Sequence, residues 1–316
     1  MKALLLNDVT NSDDVKLIEI DKPVAKKGWP LVKVLGFGMN HSELILRVNE
    51  IRASYIKRPI VPGIECIGII EESLDDNFKK GDLVCSIMGG LGRNFNGSYE
   101  EYLIAPLKNL FHIKTKLDTK YIAAVPETFF TAYGSLFESL NLKENDILLI
   151  RGATSALGYA SMQMAKALGC KVYATTHKKE KLDLITRFGC EAILDSEYHL
   201  PDGFYANKIL ELIGPRTIRD SLSHLYKNGI LCNTGILGGE YFLNNFDPIK
   251  EIPNGCYLTG FFSNYPTQKI IDDIFNFIDK YDIIPYIGAE FKFKNIKDAI
   301  KAQEKGIDGK IVVVMD

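Results

Sequence analysis

The sequence predicts an α/β protein: a β-rich first domain followed by a doubly wound parallel-sheet domain. Three observations predict it. Asn145–Leu168 reads as a buried strand, a tight turn of small residues and a helix. From about Thr119 onward strands alternate with helices, the signature of a parallel sheet covered on both faces. Before that point the chain reads as short strands cut by turn residues, including Lys26-Lys27-Gly28, Pro62-Gly63, Lys80-Gly81-Asp82 and Asn96-Gly97-Ser98.

In chain order, the first strands fall at Lys2–Leu6, Val15–Ile20, Leu31–Phe37, Gly68–Glu72, Leu83–Ile87 and Tyr99–Ile104. A short helix starts near His41 and runs to about Arg52, and Gly89–Gly97 is a glycine-rich loop. Thr131–Leu140 is helical. In the central unit Ile147–Ile150 has the apolar run of a strand buried on both faces. From Ala156 the apolar positions Leu157, Ala160, Met164, Ala165 and Leu168 fall on one helical stripe. A helix start after such a turn offers free N–H groups and partial positive charge to a pyrophosphate. Ala153, Ser155 and Gly158 occupy the three fingerprint glycine positions, so the match is partial.

Then follow strand Lys171–Thr175, helix Lys178–Phe188, strands Ala192–Leu194 and Lys208–Ile213, helix Thr217–Tyr226, and strands Gly229–Asn233 and Tyr257–Phe262. Helix Thr267–Tyr281, strand Gly288–Phe293, helix Asn295–Lys305 and strand Lys310–Val314 close the chain. There are no internal repeats.

A length of 316 residues suggests about two domains, and 46% hydrophobic with 25% charged residues is a globular composition. A net charge of −2 gives no electrostatic reason to expect nucleic acid or an anionic membrane as partner. No apolar run approaches the roughly 20 residues that span a bilayer. The opening residues read as a strand rather than a signal peptide, so the expected location is cytoplasmic. Six scattered cysteines without a Cys-x-x-Cys read as buried reduced thiols.

Several stretches resemble the medium-chain dehydrogenase/reductase superfamily, in its zinc-free quinone oxidoreductase (zeta-crystallin-like) branch. They are Gly38-Met-Asn-His-Ser-Glu43, Pro62–Ile70, Lys80–Val84, Gly97–Tyr102, Pro126–Tyr133, Gly152–Gly158, Asn233-Thr-Gly235 and Gly309–Val312. The resemblance runs nearly end to end. It implies a GroES-like catalytic domain over 1–118 and 283–316, a Rossmann domain over 119–282, and a cofactor in the cleft. It also implies a homodimer joined around Tyr257–Phe262.

Zinc alcohol dehydrogenases of that superfamily place Cys, His and Cys or an acid at the catalytic metal. The matching positions here look like Asn40, Ile64 and Glu127. Isoleucine cannot ligate and asparagine suits zinc poorly. The structural-zinc lobe would fall near Met88–Asn96, which has no cysteine, so no metal is expected. Glu65 matches an acid behind the ligands. The second Rossmann strand normally ends in an acid that binds the ribose of NAD. Here Thr176 stands in its place, with Lys178 and Lys179 after it either as holders of a 2′-phosphate or as a solvated helix start; the missing acid favours NADP(H) over NAD(H).

Without a metal, carbonyl reduction rests on hydride position and hydrogen bonding, which suits quinones and α,β-unsaturated carbonyls. Asn40 either matches an active-site asparagine of the family or is a loop-capping asparagine. Ser42, two residues on, is either a proton relay or a helix N-cap. Tyr55 either matches an active-site tyrosine, beyond an Asn49–Ser54 loop that looks longer than in bacterial relatives, or is a partly exposed loop aromatic. Thr131 either matches a threonine beside the nicotinamide or is a core helix threonine. By the same resemblance the cofactor falls to Thr131, Gly152, Thr154, Ser155, Ala156, Leu157, Gly158, Thr176, Lys178, Lys179, Gly235, Ile236, Phe261, Ser263 and Lys310. Arg93 is either a contact for an anionic substrate group or a solvated loop residue. An enoyl-thioester reductase and a non-catalytic NADPH-binding protein are the alternatives; the first would need a basic channel, and no such cluster stands in the first domain.

Overall fold

The computed structural model describes residues 1–316. Contacts divide it into two units, Met1–Phe130 with Asn264–Asp316, and Thr131–Ser263.

The first unit is built on a seven-stranded sheet. Its order is Ile287–Lys292, Lys310–Val314, Leu31–Met39, Glu65–Glu72, Leu83–Ile87 and Leu110–His112, with Tyr102–Ile104 also paired to Leu31–Met39. All pairings are antiparallel except that between Ile287–Lys292 and Lys310–Val314. Val32, Val34, Phe37, Val84, Leu103 and Val313 fill its core. Phe37 stacks on Tyr99 with ring centroids 4.4 Å apart. Gly68 lets two strands close up: a Cβ there would lie 2.5 Å from the Lys33 carbonyl oxygen.

The second unit carries a six-stranded, wholly parallel sheet. The order is Glu191–Leu194, Lys171–Thr176, Ile147–Arg151, Ala206–Glu211, Leu225–Asn233 and Tyr257–Gly260. The strand order reverses beside Ile147–Arg151, and ligands of such sheets bind at the carboxyl ends near that reversal. Leu148, Leu149 and Ile150 are fully buried, as an apolar run enclosed on both faces requires.

Several elements differ from expectation. The strand Leu110–His112 and the helices Thr119–Ala123 and Pro248–Glu251 lack a long periodic pattern and escaped the sequence reading. The expected helix Thr131–Leu140 is an α-helix over Pro126–Tyr133 that widens into a π-turn over Gly134–Ser139. There the Phe261 ring lies where a Cβ of Gly134 would be, at 2.0 Å. The unit boundaries fall at 130/131 and 263/264, against the expected 118/119 and 282/283. Helix Thr119–Ala123 packs on the strands Leu31–Met39 and Lys310–Val314. Gln268 bonds both the N–H and the C=O of His112, at 2.8 and 2.9 Å, which groups its helix with the first unit.

All six cysteines are free and five are buried; burial pushes the Cys66 thiol up to about 12. No helix is long and apolar enough to cross a membrane.

Arg151 ends its strand with no exposed surface. Its guanidinium donates to Asp195 at 2.7 Å, Asp220 at 2.6 Å and the Ser221 hydroxyl at 2.9 Å. Ser221 in turn donates to the buried Glu211 at 2.6 Å, and burial pushes the Glu211 carboxyl up. Removing the one cation leaves buried carboxylates uncompensated. Arg151→Met is therefore expected to lower stability by about 3–5 kcal/mol, read as a lower urea midpoint with an unchanged slope. A midpoint shift below a tenth of the parent value contradicts this.

Candidate active site

In the first unit one candidate, Lys310, meets Asn40. Asn40 is the N-cap of helix His41–Val48, its backbone N–H donating to Glu43 Oε2 at 2.7 Å while Glu43 N–H returns to the Asn40 carbonyl. The Glu43 side chain reaching back to the Asn40 N–H is the acid's half of a capping box. The Asn40 amide is fixed at both atoms. Lys310 Nζ donates to its Oδ1 at 2.6 Å, and its Nδ2 donates to Glu65 Oε1 at 2.8 Å. Lys310 also pairs with Glu65 at 2.7 Å. Glu65 is fully buried and Lys310 only 2% exposed. Glu65 Oε2 accepts from the Glu127 backbone N–H at 2.7 Å, and Gln303 Nε2 donates to the Asn40 carbonyl at 2.7 Å.

The structure thus brings Asn40 and Lys310 together. Lys310 was expected on the cofactor; here its ammonium serves Asn40 and Glu65. The sequence reading assigned no role to Glu43 or Gln303. The capping-box spacing was the available signal for Glu43; Gln303 had none, lying 263 residues from Asn40. Burial pushes the Glu43 carboxyl up to about 7, against the Ile64 N–H bond and the charges of Lys310 and Arg93.

Ser42 lies within the helix; Asn40 takes the capping role. Arg93 Nη2 donates to the Ser42 hydroxyl and carbonyl, both at 2.9 Å, and Arg93 Nε donates to Glu50 at 3.0 Å. Arg93 therefore ties the glycine-rich loop to this helix and is no solvated arginine. Tyr55 is 63% exposed and donates to Glu50 at 2.9 Å, linked to Ser42 only through Glu50 and Arg93.

In the second unit the cofactor candidates gather at the carboxyl edge of the parallel sheet. Gly152 has φ +86, and its N–H donates to Thr175 Oγ1 at 3.0 Å. Ser155 caps helix Ala156–Leu168, accepting from the Gly158 N–H at 3.1 Å. Thr154, Ala156 and Leu157 lie between them, half-buried. A Cβ at Gly158 would stand 2.2 Å from the Ala153 carbonyl oxygen, so the helix start runs against the turn backbone. Thr176 ends the second strand, buried, its hydroxyl accepting from the Lys178 N–H at 3.2 Å; Lys178 and Lys179 are exposed. Gly235 N–H donates to the Glu211 carbonyl at 3.2 Å, and a Cβ there would meet the Leu212 carbonyl oxygen at 2.2 Å. Ile236, Phe261 and Ser263 are half-buried beyond the fifth and sixth strands. Thr131 is buried, and its carbonyl accepts from Ser135, whose hydroxyl meets that of Thr234 at 2.8 Å. No three His, Cys, Asp or Glu side chains converge as metal ligands.

The chain matches two families: the alcohol dehydrogenase GroES-like domain over residues 26–115 and the zinc-binding dehydrogenase family over 156–279. It is 24% identical to a zinc-type alcohol dehydrogenase-like protein of Schizosaccharomyces pombe, over 100% of this chain and 99% of that one. It is 29% identical to human quinone oxidoreductase, over 69% of this chain and 64% of that protein. The yhdH oxidoreductase of Salmonella enterica, solved in complex with NADP, shares the fold with a TM-score of 0.85 at 17% identity, each chain covered in full. The chain belongs to the medium-chain dehydrogenase/reductase superfamily, in its quinone oxidoreductase-like branch, and is an oxidoreductase of that class.

Two outcomes follow from this geometry. Folding favours the acid form of Glu43, so its contribution to stability is full below the ordinary value of 4.5 and is lost as pH rises through about 7. The span corresponds to roughly 3 kcal/mol. In urea melts, the stability of the parent relative to Glu43→Gln should fall as pH rises from about 5 to about 8; a constant difference contradicts it. At the turn, Gly158→Val should abolish dinucleotide binding and destabilise by about 1–3 kcal/mol through overpacking. Ser155→Gly should cost only a few tenths of a kcal/mol. Dinucleotide titrations with thermal melts decide; a folded Gly158→Val that binds like the parent removes the turn from the site.

Proposed function

We propose that this protein is a zinc-independent, NADPH-dependent oxidoreductase that reduces quinones or α,β-unsaturated carbonyls. The observation that carries the reading is the Asn40 amide clamped by a buried ammonium. Of the three positions matching catalytic zinc ligands, one is a hydrocarbon, Ile64, one an amide oxygen already 2.6 Å from Lys310 Nζ, and only Glu127 is a residue type that zinc takes. That donor set does not fit zinc, and a second cation beside the ammonium would be repelled.

A nicotinamide dinucleotide does fit the second unit. The Gly152–Gly158 turn leaves room for no extra Cβ, and the helix start supplies N–H groups to a pyrophosphate. The absence of an acid at Thr176, with Lys178 and Lys179 exposed beyond it, supports NADPH. Bound NADPH would supply a hydride. The chain's own part is to steady the oxygen on which charge develops. Lys310 draws electron density from Asn40 Oδ1 and so strengthens as a donor the Nδ2–H not given to Glu65, whose long 3.5 Å contact with Glu43 Oε1 would yield to the substrate oxygen. Ser42, whose oxygen accepts from Arg93, keeps its own proton to give; Tyr55 is the second candidate donor. A cytoplasmic homodimer joined along the edge strand Tyr257–Gly260 belongs to the same reading, with Tyr257 and Phe262 exposed beside it.

NADPH oxidation with 9,10-phenanthrenequinone and with 1-octen-3-one tests the reaction. No turnover of either, beside turnover of an enoyl-CoA, moves the assignment to an enoyl-thioester reductase; binding without any turnover makes the protein a non-catalytic binder. NADPH should bind more tightly than NADH. Lys178→Ala with Lys179→Ala should weaken NADPH by about 1–3 kcal/mol, the scale of charged hydrogen bonds, and leave NADH nearly unchanged. Equal affinities in a fluorescence titration refute it. Turnover should survive chelator, and elemental analysis should find no stoichiometric zinc.

A further inference from the structure

The first unit holds a cavity of about 610 Å³ that the active-site reading does not use. Asn40, Ser42, Tyr55 and Lys310 do not line it. Its size falls in the range of about 300–1,000 Å³ common for small-molecule sites. Glu100 lines it, only 1% exposed, and its Oε2 has no hydrogen-bond partner. A buried carboxyl without a partner is disfavoured, and burial pushes this one up to about 9. It is therefore a neutral acid near pH 7, able to donate one hydrogen bond.

The remaining walls are equally specific. Trp29 and Phe95 meet edge to face, centroids 5.2 Å apart at 85°, forming an aromatic corner. Lys26 Nζ lies 4.7 Å from the Trp29 ring centroid. Lys57 and Lys108 join Lys26 at the rim, against the single exposed carboxylate of Asp21. Flat apolar surface, a positive rim and a buried donor select a flat, negatively charged ligand with a second, neutral acceptor.

We propose that this cavity is a second binding site, for a planar aromatic anion whose rings lie against Trp29 and Phe95, whose charge faces the lysines, and whose neutral acceptor bonds Glu100. The site lies within the first unit and goes beyond the reductase reading. Trp29 is the only tryptophan in the chain, so its emission reports the site directly.

The probe is 6-hydroxy-2-naphthoate, followed by calorimetry and by quenching of Trp29. Saturable binding is expected, weaker for 2-naphthoate, which lacks the acceptor, and for 2-naphthol, which lacks the charge. Glu100→Leu should lower affinity roughly tenfold, the scale of one hydrogen bond, while Glu100→Gln stays near the parent. Glu100→Leu removes an unpaired buried carboxyl and should melt no lower than the parent; if it fails to fold, Lys26→Met with Lys108→Met gives the independent reading, a loss of affinity for the naphthoate and none for 2-naphthol. The proposal is overturned by no saturable heat up to about 1 mM, by equal affinity of parent and Glu100→Leu, or by displacement of the probe by NADPH.

Discussion

A buried ammonium organises the first unit. Lys310 is buried at the start of the strand Lys310–Val314, ahead of an isoleucine and three valines, where an unpaired charge would be prohibitive. It is tolerated because Glu65, 245 residues earlier, supplies the counter-charge, and because Asn40 Oδ1 accepts a further hydrogen bond. Satisfying that charge fixes the neighbouring groups in turn. Asn40 is held at both ends of its amide, and its place at the helix start fixes Glu43. A chemical group is thereby oriented by the same pairings that hold the sheet together, so neither can be altered alone.

The second unit solves a different problem. Here nothing is charged in the Gly152–Gly158 turn, and the constraint is steric. Gly158 and Gly235 each bring backbone against a carbonyl oxygen within the distance a Cβ would occupy. Ala153 and Ser155 are accommodated at the positions where glycine is usual, because the Ser155 hydroxyl turns inward to cap the helix. The buried Arg151 cluster lies at the same sheet edge, bracing the first strand against the residues that follow the third and fourth.

What the sequence revealed tracks how local the cause is. The parallel sheet was legible because a short apolar run followed by a striped helix needs only neighbouring residues. The candidates Asn40 and Gly158 were legible because they lie in motifs that resemble a family. The π-turn was not, since it depends on Phe261 pressing on Gly134 across more than a hundred residues of chain. Gln303 was hidden for the same reason. Arg93 could be read only as a substrate contact or a solvated loop residue, because only the fold brings Glu50 and Ser42 to its guanidinium. Leu110–His112 was too short to show a period.

The division of the first unit between the two ends of the chain has a consequence for synthesis. The strand Leu31–Met39 pairs with Lys310–Val314 along one side, and that partner is made roughly 15–50 s later at ordinary rates of translation. Until then this side of the sheet is an open edge, while residues 131–263, contiguous in sequence, already hold every strand of their own sheet. The nascent protein is therefore half finished in an unusual sense: its middle is complete before its beginning. The open edge is a template for stray strands during that interval, and holdase chaperones would act there, on a surface that the mature protein no longer presents.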